Sequence, residues 1–199
     1  MRRNEFNIDN ERAIQEFLDT CDYGTLCLSN HEEPYGVPLN FACWEEGIVF
    51  HGSPEGKKSH MIAKNPKACL SVTKPYAYIP SYFSHTTSAC PATQFFGSVL
   101  LEGTIKILNN LDEKARALNA LMQKMQPESH YEPISVENPI YTKMLTSTAV
   151  LYLRIEKRSF KLKVGRNLTP ERKENLIAEL EKRGTALDKE TIKLIKLYM

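Results

Sequence analysis

Apolar and polar residues alternate with two periods along this chain, and the switches between them mark out its elements. Ile14, Phe17 and Leu18 recur at helical spacing behind Asp9 or Asn10, either of which can cap a helix, and Gly24 ends that segment. Strand-like runs follow. Residues 25–29 are short and apolar, and His31-Glu32-Glu33-Pro34 reads as a polar turn. Residues 35–44 form a long run with Val37, Leu39 and Phe41 in period-2 register. Glu45-Glu46-Gly47 turns the chain, and residues 48–51 run back.

After the loop 52–56, residues 57–64 read as a short helix closed by Asn65-Pro66. Residues 67–78 alternate through Ala68, Leu70 and Val72 as a strand. Residues 80–91 are Ser- and Thr-rich and read as a loop. A strand over 95–108 crosses Gly103, and an amphipathic helix over 112–125 has Leu111, Ala115, Leu118, Leu121 and Met122 at helical spacing. A proline-punctuated connection spans 126–139, and a last strand spans 148–164. Thr169 as N-cap and Pro170 at the first position start a helix with Leu176, Ile177 and Leu180, and Gly184 stops it. Asp188 caps a final helix with Ile192, Ile195 and Leu197. Six strands, mostly neighbours in sequence and flanked by helices, predict a mainly β protein: an antiparallel β-barrel with peripheral helices.

The 199 residues fit one domain with a sizeable core, expected over 1–165, with 166–199 as its C-terminal helical extension. Hydrophobic residues make up 42% and charged residues 25%, ordinary globular usage. The net charge of +2 argues against a dedicated nucleic-acid binder, although the charge is unevenly placed. Residues 154–199 carry 13 Lys/Arg against 7 Asp/Glu, and residues 1–153 carry 13 against 17. In the basic tail Glu171, Glu174, Glu179 and Glu181 recur at helical spacing, which reads as a salt-bridged solvated helix face. The start of the chain lacks the apolar stretch of a secretory signal, and no window approaches the ~20 apolar residues of a membrane helix. A cytoplasmic protein without membrane contact is expected. Five cysteines, an odd number with no CxxC, predict neither a disulfide framework nor a close-spaced zinc site, but small buried thiols.

The best local feature for chemistry is His51-Gly52-Ser53-Pro54-Glu55-Gly56-Lys57-Lys58. A strand end, a glycine-containing loop, two lysines and a helix start converge there. Free N–H groups, the helix dipole and an ammonium group make such places anion sites. It is not GxxxxGK[ST], and a surface loop with solvated lysines is the competing reading. No histidine has a second ligand at zinc spacing, so no metal is expected. Cys90-Pro91 has no partner for nucleophilic chemistry, Glu32-Glu33 and Glu45-Glu46 read as solvated turns, and Trp44 as a core or interface anchor.

In order along the chain, Met1-Arg2-Arg3, GTLCLS, PYGVPLNF (34–41), IVFHGSPEGKK (48–58), NPKACLSV (65–72) and FFGSVLLEG (95–103) resemble the FMN-binding split β-barrel superfamily of pyridoxamine 5′-phosphate oxidase. More narrowly, they are similar to its nitroimidazole-resistance (Nim-type) flavoprotein branch, as is the tail from Lys163 to Gly184. The resemblance implies a six-stranded antiparallel split β-barrel acting as a homodimer, with FMN between the two barrels. It implies a phosphate site on His51, Gly52 and Ser53, with Lys57 or Lys58 as counter-charge. The flavin ring would lie against Val37, Pro38, Leu39 and Asn40, and Phe96, Ser98 and Val99 would approach it. Phe96-Gly97 stands where the branch shows Tyr and a basic residue.

The implied activity is FMN-dependent reduction of a small planar or nitroaromatic acceptor by NADH or NADPH. His51 would be proton donor or orienting group, or a structural partner of the phosphate. The alternative is a non-catalytic flavin- or haem-binding protein of the same fold. The chain lacks the vitamin oxidase's C-terminal Trp- and Arg-containing motif, and no histidine follows His130 to serve as the C-terminal haem ligand of other relatives.

Overall fold

The computed structural model describes residues 4–30, 33–84 and 87–199. The expected turn residues His31 and Glu32, the loop residue His85 and the opening Met1-Arg2-Arg3 lie outside them. The architecture is the expected mainly β one, with seven strands among the described residues in place of six: β1 (Tyr23–Asn30), β2 (Glu33–Asn40), β3 (Ala42–Trp44), β4 (Gly47–Gly52), β5 (Lys67–Ile79), β6 (Thr93–Leu108) and β7 (Ala149–Lys163). They form one sheet in the order β2-β1-β5-β6-β7-β4-β3. The pairings of β1 with β2 and β5, and of β4 with β3 and β7, are antiparallel. Among the described residues six α-helices accompany them: α1 (Glu11–Asp19), α2 (Lys57–Lys64), α3 (Leu111–Met125), α4 (Thr142–Ser147), α5 (Pro170–Arg183) and α6 (Ala186–Leu197).

The seventh strand arises because the run over 35–44 breaks at Phe41. Residues before it pair with β1 and residues after it with β4, at opposite ends of the strand order. Phe41 is fully buried, and the Lys124 ammonium stands 3.6 Å from its ring centroid while donating to the Leu18 carbonyl at 3.0 Å. A cation over an aromatic face is attractive. The corner is thus held by α3 at a residue that keeps the period-2 pattern unbroken.

Residues 11–72 and 99–158 form one compact unit, and residues 1–10, 73–98 and 159–199 another. In the first, Leu118 and Leu121 of α3 bury with Val49 of β4 and Val150 of β7. Each such side chain contributes roughly 1.5–3 kcal/mol when buried. Gly103 on β6 marks a close backbone approach, since a Cβ there would meet the Arg154 carbonyl. α4 falls where the sequence shows no period. It is only six residues long, and Lys114 satisfies carbonyls at its end, donating to Leu145 O and Thr148 O at 3.0 Å each.

In the second unit α5 starts as expected, with Thr169 as N-cap and Pro170 at its first position, and stops at Gly184 with φ +70°. The cap of α6 is Thr185 rather than Asp188. Asp188 is its third helical residue, and the two exchange bonds as a capping box, Thr185 N to Asp188 Oδ2 at 3.0 Å and Asp188 N to Thr185 Oγ1 at 3.2 Å. Ile192 and Ile195 are buried, but Leu197 is 72% exposed, because the helix ends there. α6 is tied to β5 by Ala77 N donating to Thr191 Oγ1 at 2.9 Å and by Lys74–Glu190 at 2.8 Å. The mixed-charge face is partly paired, through Lys196–Glu181 at 3.5 Å, whereas Lys173 is buried and donates to Tyr198 O at 2.8 Å.

Candidate cofactor site

β4 carries three fully buried residues, Ile48, Val49 and Phe50, and then changes character: His51 is exposed and Gly52 half-exposed. The pair still belongs to the ladder, His51 opposite Val150 and Gly52 opposite Ala149. Beyond it the loop closes on itself. Ser53 Oγ accepts from Glu55 N at 3.1 Å, and Ser53 O accepts from Ser59 Oγ at 2.9 Å. Gly56 enters α2 with φ +103°, a conformation that side chains disfavour, and gives the helix no side-chain cap. The first N–H groups of α2 therefore stay available to an acceptor from outside the helix.

The adjacent lysines have different surroundings. Lys57 is exposed, pairs with Glu33 Oε1 at 2.6 Å, and stands 5.0 Å from the Tyr35 ring centroid. Its hydrogen bond and charge hold the Glu33 carboxyl below the usual carboxylate range. Lys58 is half-buried. Its ammonium fills the space that a side chain on Gly52 would need, 5.9 Å from the Phe50 ring centroid, with no carboxylate partner among the described residues. Burial pushes the Lys58 ammonium's pKa down. Partial desolvation of the ring, although the residue as a whole is exposed, and then the Lys58 charge push the His51 imidazole below its ordinary value. The shift favours the neutral imidazole, in which one ring nitrogen donates and the other accepts.

The ring-side expectation, Val37 to Asn40, falls on β2 at the end of the strand order. Prolines explain the place: Pro34 and Pro38 lack the N–H that a central strand must donate. Tyr35, Val37 and Leu39 share one half-buried face, and Pro38 and Asn40 are exposed. Asn40 Nδ2 donates to Asp22 O at 2.9 Å. Through Lys57, which reaches both Glu33 and Tyr35, β2 and the start of α2 are brought together.

The pyridoxamine 5′-phosphate oxidase family model matches residues 10–162, more than half of the chain. The chain belongs to this family. No curated protein matches its sequence. Among solved structures it is similar to a FAD- and haem-binding protein from Mycobacterium smegmatis (22% identity, TM-score 0.67, 79% of this chain and 73% of that one). It is also similar to the flavocytochrome Anf3 from Azotobacter vinelandii (19%, 0.67, 82% and 72%). A third is a candidate 5-nitroimidazole antibiotic resistance protein from Bacteroides thetaiotaomicron (17%, 0.64, 78% and 85%). At these identities the likeness shows a shared fold.

In this family member Phe96, Ser98 and Val99 lie on β6. Ser98 Oγ is 3.4 Å from Thr73 Oγ1, and Val99 is fully buried on the opposite face of the strand. Phe96 is half-buried, with Lys161 5.4 Å and Lys163 6.0 Å from its ring centroid. Two cations from β7 thus stand over this ring. Their period-2 spacing was the one available signal.

A cavity of about 750 Å³ borders the 52–56 loop and α2, lined by Pro54, Glu55, Gly56, Ser59, His60 and Lys114 among others. Of the remaining histidines, His130 sits in a loop with φ +65°. No group of three His, Cys, Asp or Glu is placed to hold a metal among the described residues. Cys21 is buried, Cys27, Cys43 and Cys69 are half-buried and Cys90 is exposed, so the expectation of buried thiols is met fully only at Cys21. Trp44 stands edge-on to Tyr152 at 5.6 Å. No helix among the described residues is long and apolar enough to cross a membrane.

Proposed function

We propose that this protein binds FMN, with the phosphate on the Gly52–Lys58 loop, and reduces a small planar or nitroaromatic acceptor with NADH or NADPH as donor. This is the activity that the resemblance to the nitroimidazole-resistance branch implies. One observation carries the reading: the half-buried Lys58 ammonium beside the Gly52 backbone, at the uncapped start of α2, with no carboxylate partner among the described residues. Removing an ammonium from water is costly, and an anion within hydrogen-bond reach offsets that cost. A phosphate suits the place, because loop N–H groups and one lysine supply charge-assisted bonds together. Lys58 rather than Lys57 is the counter-charge, since Lys57 already has Glu33.

When bound, a flavin supplies hydride and electron transfer. The chain's part is to hold and orient. His51 presents a hydrogen bond one residue from the phosphate loop. The apolar face of β2, with Val37 and Leu39, offers a flat surface for a ring. FMN is favoured over the dinucleotide because the loop is one compact anion site and the chain has no GxGxxG. We further infer a homodimer, since β2 ends the strand order with Val37 and Leu39 only half-buried, a face that a second copy would cover.

The second reading is flavin or haem binding without turnover, and the similar FAD- and haem-binding protein and flavocytochrome favour it. The absorption spectrum of the purified protein, with chromatography of the cofactor released by heat, separates the readings. FMN that NADH or NADPH bleaches, and that a nitroaromatic re-oxidises, supports the first. Flavin that neither nicotinamide reduces, or a Soret band alone, supports the second. FAD in place of FMN overturns the single-phosphate assignment.

A further inference from the structure

Cys27 on β1 and Cys69 on β5 face each other directly in the antiparallel register of those strands. Opposed residues in such a ladder carry their side chains on one face, with Cα atoms ~4.5–5.5 Å apart. A disulfide spans ~4.4–6.8 Å between Cα atoms, so the Cα spacing of this pair falls within the range a bridge needs. Both thiols are half-buried, and both line a cavity of about 400 Å³ together with Lys67, Glu102, Glu156 and Lys157. A small reagent can therefore reach them. The thiols also sense each other. Burial pushes the Cys69 thiol up to about 11, helped by the Cys27 charge, a hydrogen bond with Cys27, and Glu102. Of the other cysteines, Cys43 faces Ile48 across its ladder, Cys21 is buried beyond the end of α1, and Cys90 sits in an exposed turn.

We propose that Cys27 and Cys69 form a redox modification site, a dithiol that exchanges with low-molecular-weight disulfides such as oxidised glutathione to give a reversible cross-strand disulfide. The Cys27 thiolate attacks one sulfur of the external disulfide. That S–S bond breaks, one glutathione leaves as thiol, and a mixed disulfide stays on Cys27. Cys69 then loses its proton and attacks the Cys27 sulfur, and the second glutathione leaves with a proton. The two protein thiols lose two electrons and two protons, and the external disulfide gains them. The first attack falls to Cys27 because Cys69 is the thiol held protonated. This site is independent of the flavin reading.

The experiment equilibrates the whole protein in glutathione buffers of graded ratio near neutral pH, quenches with an alkylating agent and maps the cysteine peptides by mass. The expected result is one linked peptide pair, Cys27 with Cys69, without glutathione on either, and reversed by dithiothreitol. In Cys69→Ser the resolving thiol is gone, so glutathione stays trapped on Cys27. The proposal is overturned if both thiols in the unaltered protein remain open to alkylation at the most oxidising ratio, or if only Cys90 is modified. Mapping on the unaltered protein decides the matter even where the variant folds poorly.

Discussion

The Lys58 ammonium lies against the backbone of Gly52, in the volume that any side chain at that position would occupy. Its sequence neighbour Lys57 points instead to Glu33, 2.6 Å away. Two identical residues side by side thus have different electrostatic tasks: one charge is neutralised within the chain, and the other has no counter-ion among the described residues.

The lysine pair is therefore expected to divide on substitution. Lys58→Ala should weaken FMN binding by ~1.5–3 kcal/mol, about tenfold to over a hundredfold, with riboflavin affinity unchanged. Lys57→Ala removes an exposed ion pair and should cost only ~0–1 kcal/mol. Fluorescence titration with both ligands checks this, and equal losses for FMN and riboflavin would indicate general damage instead.

Gly52→Ala tests the same contact from the other side. The added methyl collides with the tip of a flexible side chain, so the fold survives while the ammonium is displaced. FMN affinity should fall by about fivefold or more, roughly 1 kcal/mol, and riboflavin affinity should hold. Thermal unfolding of the flavin-free protein should be nearly unchanged.

Asp188 ties acid stability to the α5–α6 connection. It is fully buried, and the Arg183 hydrogen bond, followed by bonds from Thr185, hold its carboxyl near pKa about 2 against an ordinary 3.8. A carboxyl depressed by folding contributes stability that is full above its unfolded pKa and lost as pH falls through the folded one. The contribution, about 2 kcal/mol, should fade from about pH 4 toward pH 2. Asp188→Asn should be less stable at pH 7 and lack that part of the acid slope. Urea unfolding at a series of pH values checks it, and parallel curves for the two proteins would contradict it.

Lys114→Met keeps the volume of a buried side chain but removes two bonds to carbonyls at the end of α4. Leaving these acceptors unpaired should cost about 2–4 kcal/mol. The urea midpoint should fall at unchanged slope. A midpoint within error of the parent would show that water takes over both carbonyls.

By itself the sequence determined the family and most of the local elements, α4 and the separate β3 excepted. Period-2 and helical spacings, Pro170 behind Thr169, and Gly184 place strands and helices close to where they lie, because backbone conformation responds to nearby side chains. The loop from His51 to Lys58 was legible for the same reason: glycine, lysine and a helix start are neighbours along the chain. Tertiary structure alone decided the rest. The break at Phe41 keeps the alternation intact and exists because residues on either side pair with strands at opposite ends of the sheet order. The choice of Lys58 over Lys57 depends on Glu33, 24 positions away from Lys57. Cys27 and Cys69 meet only through the register of β1 on β5, and Lys161 and Lys163 reach Phe96 from a different strand. A side chain's electrostatic neighbours are set by which distant segments fold beside it, and spacing along one chain does not encode them.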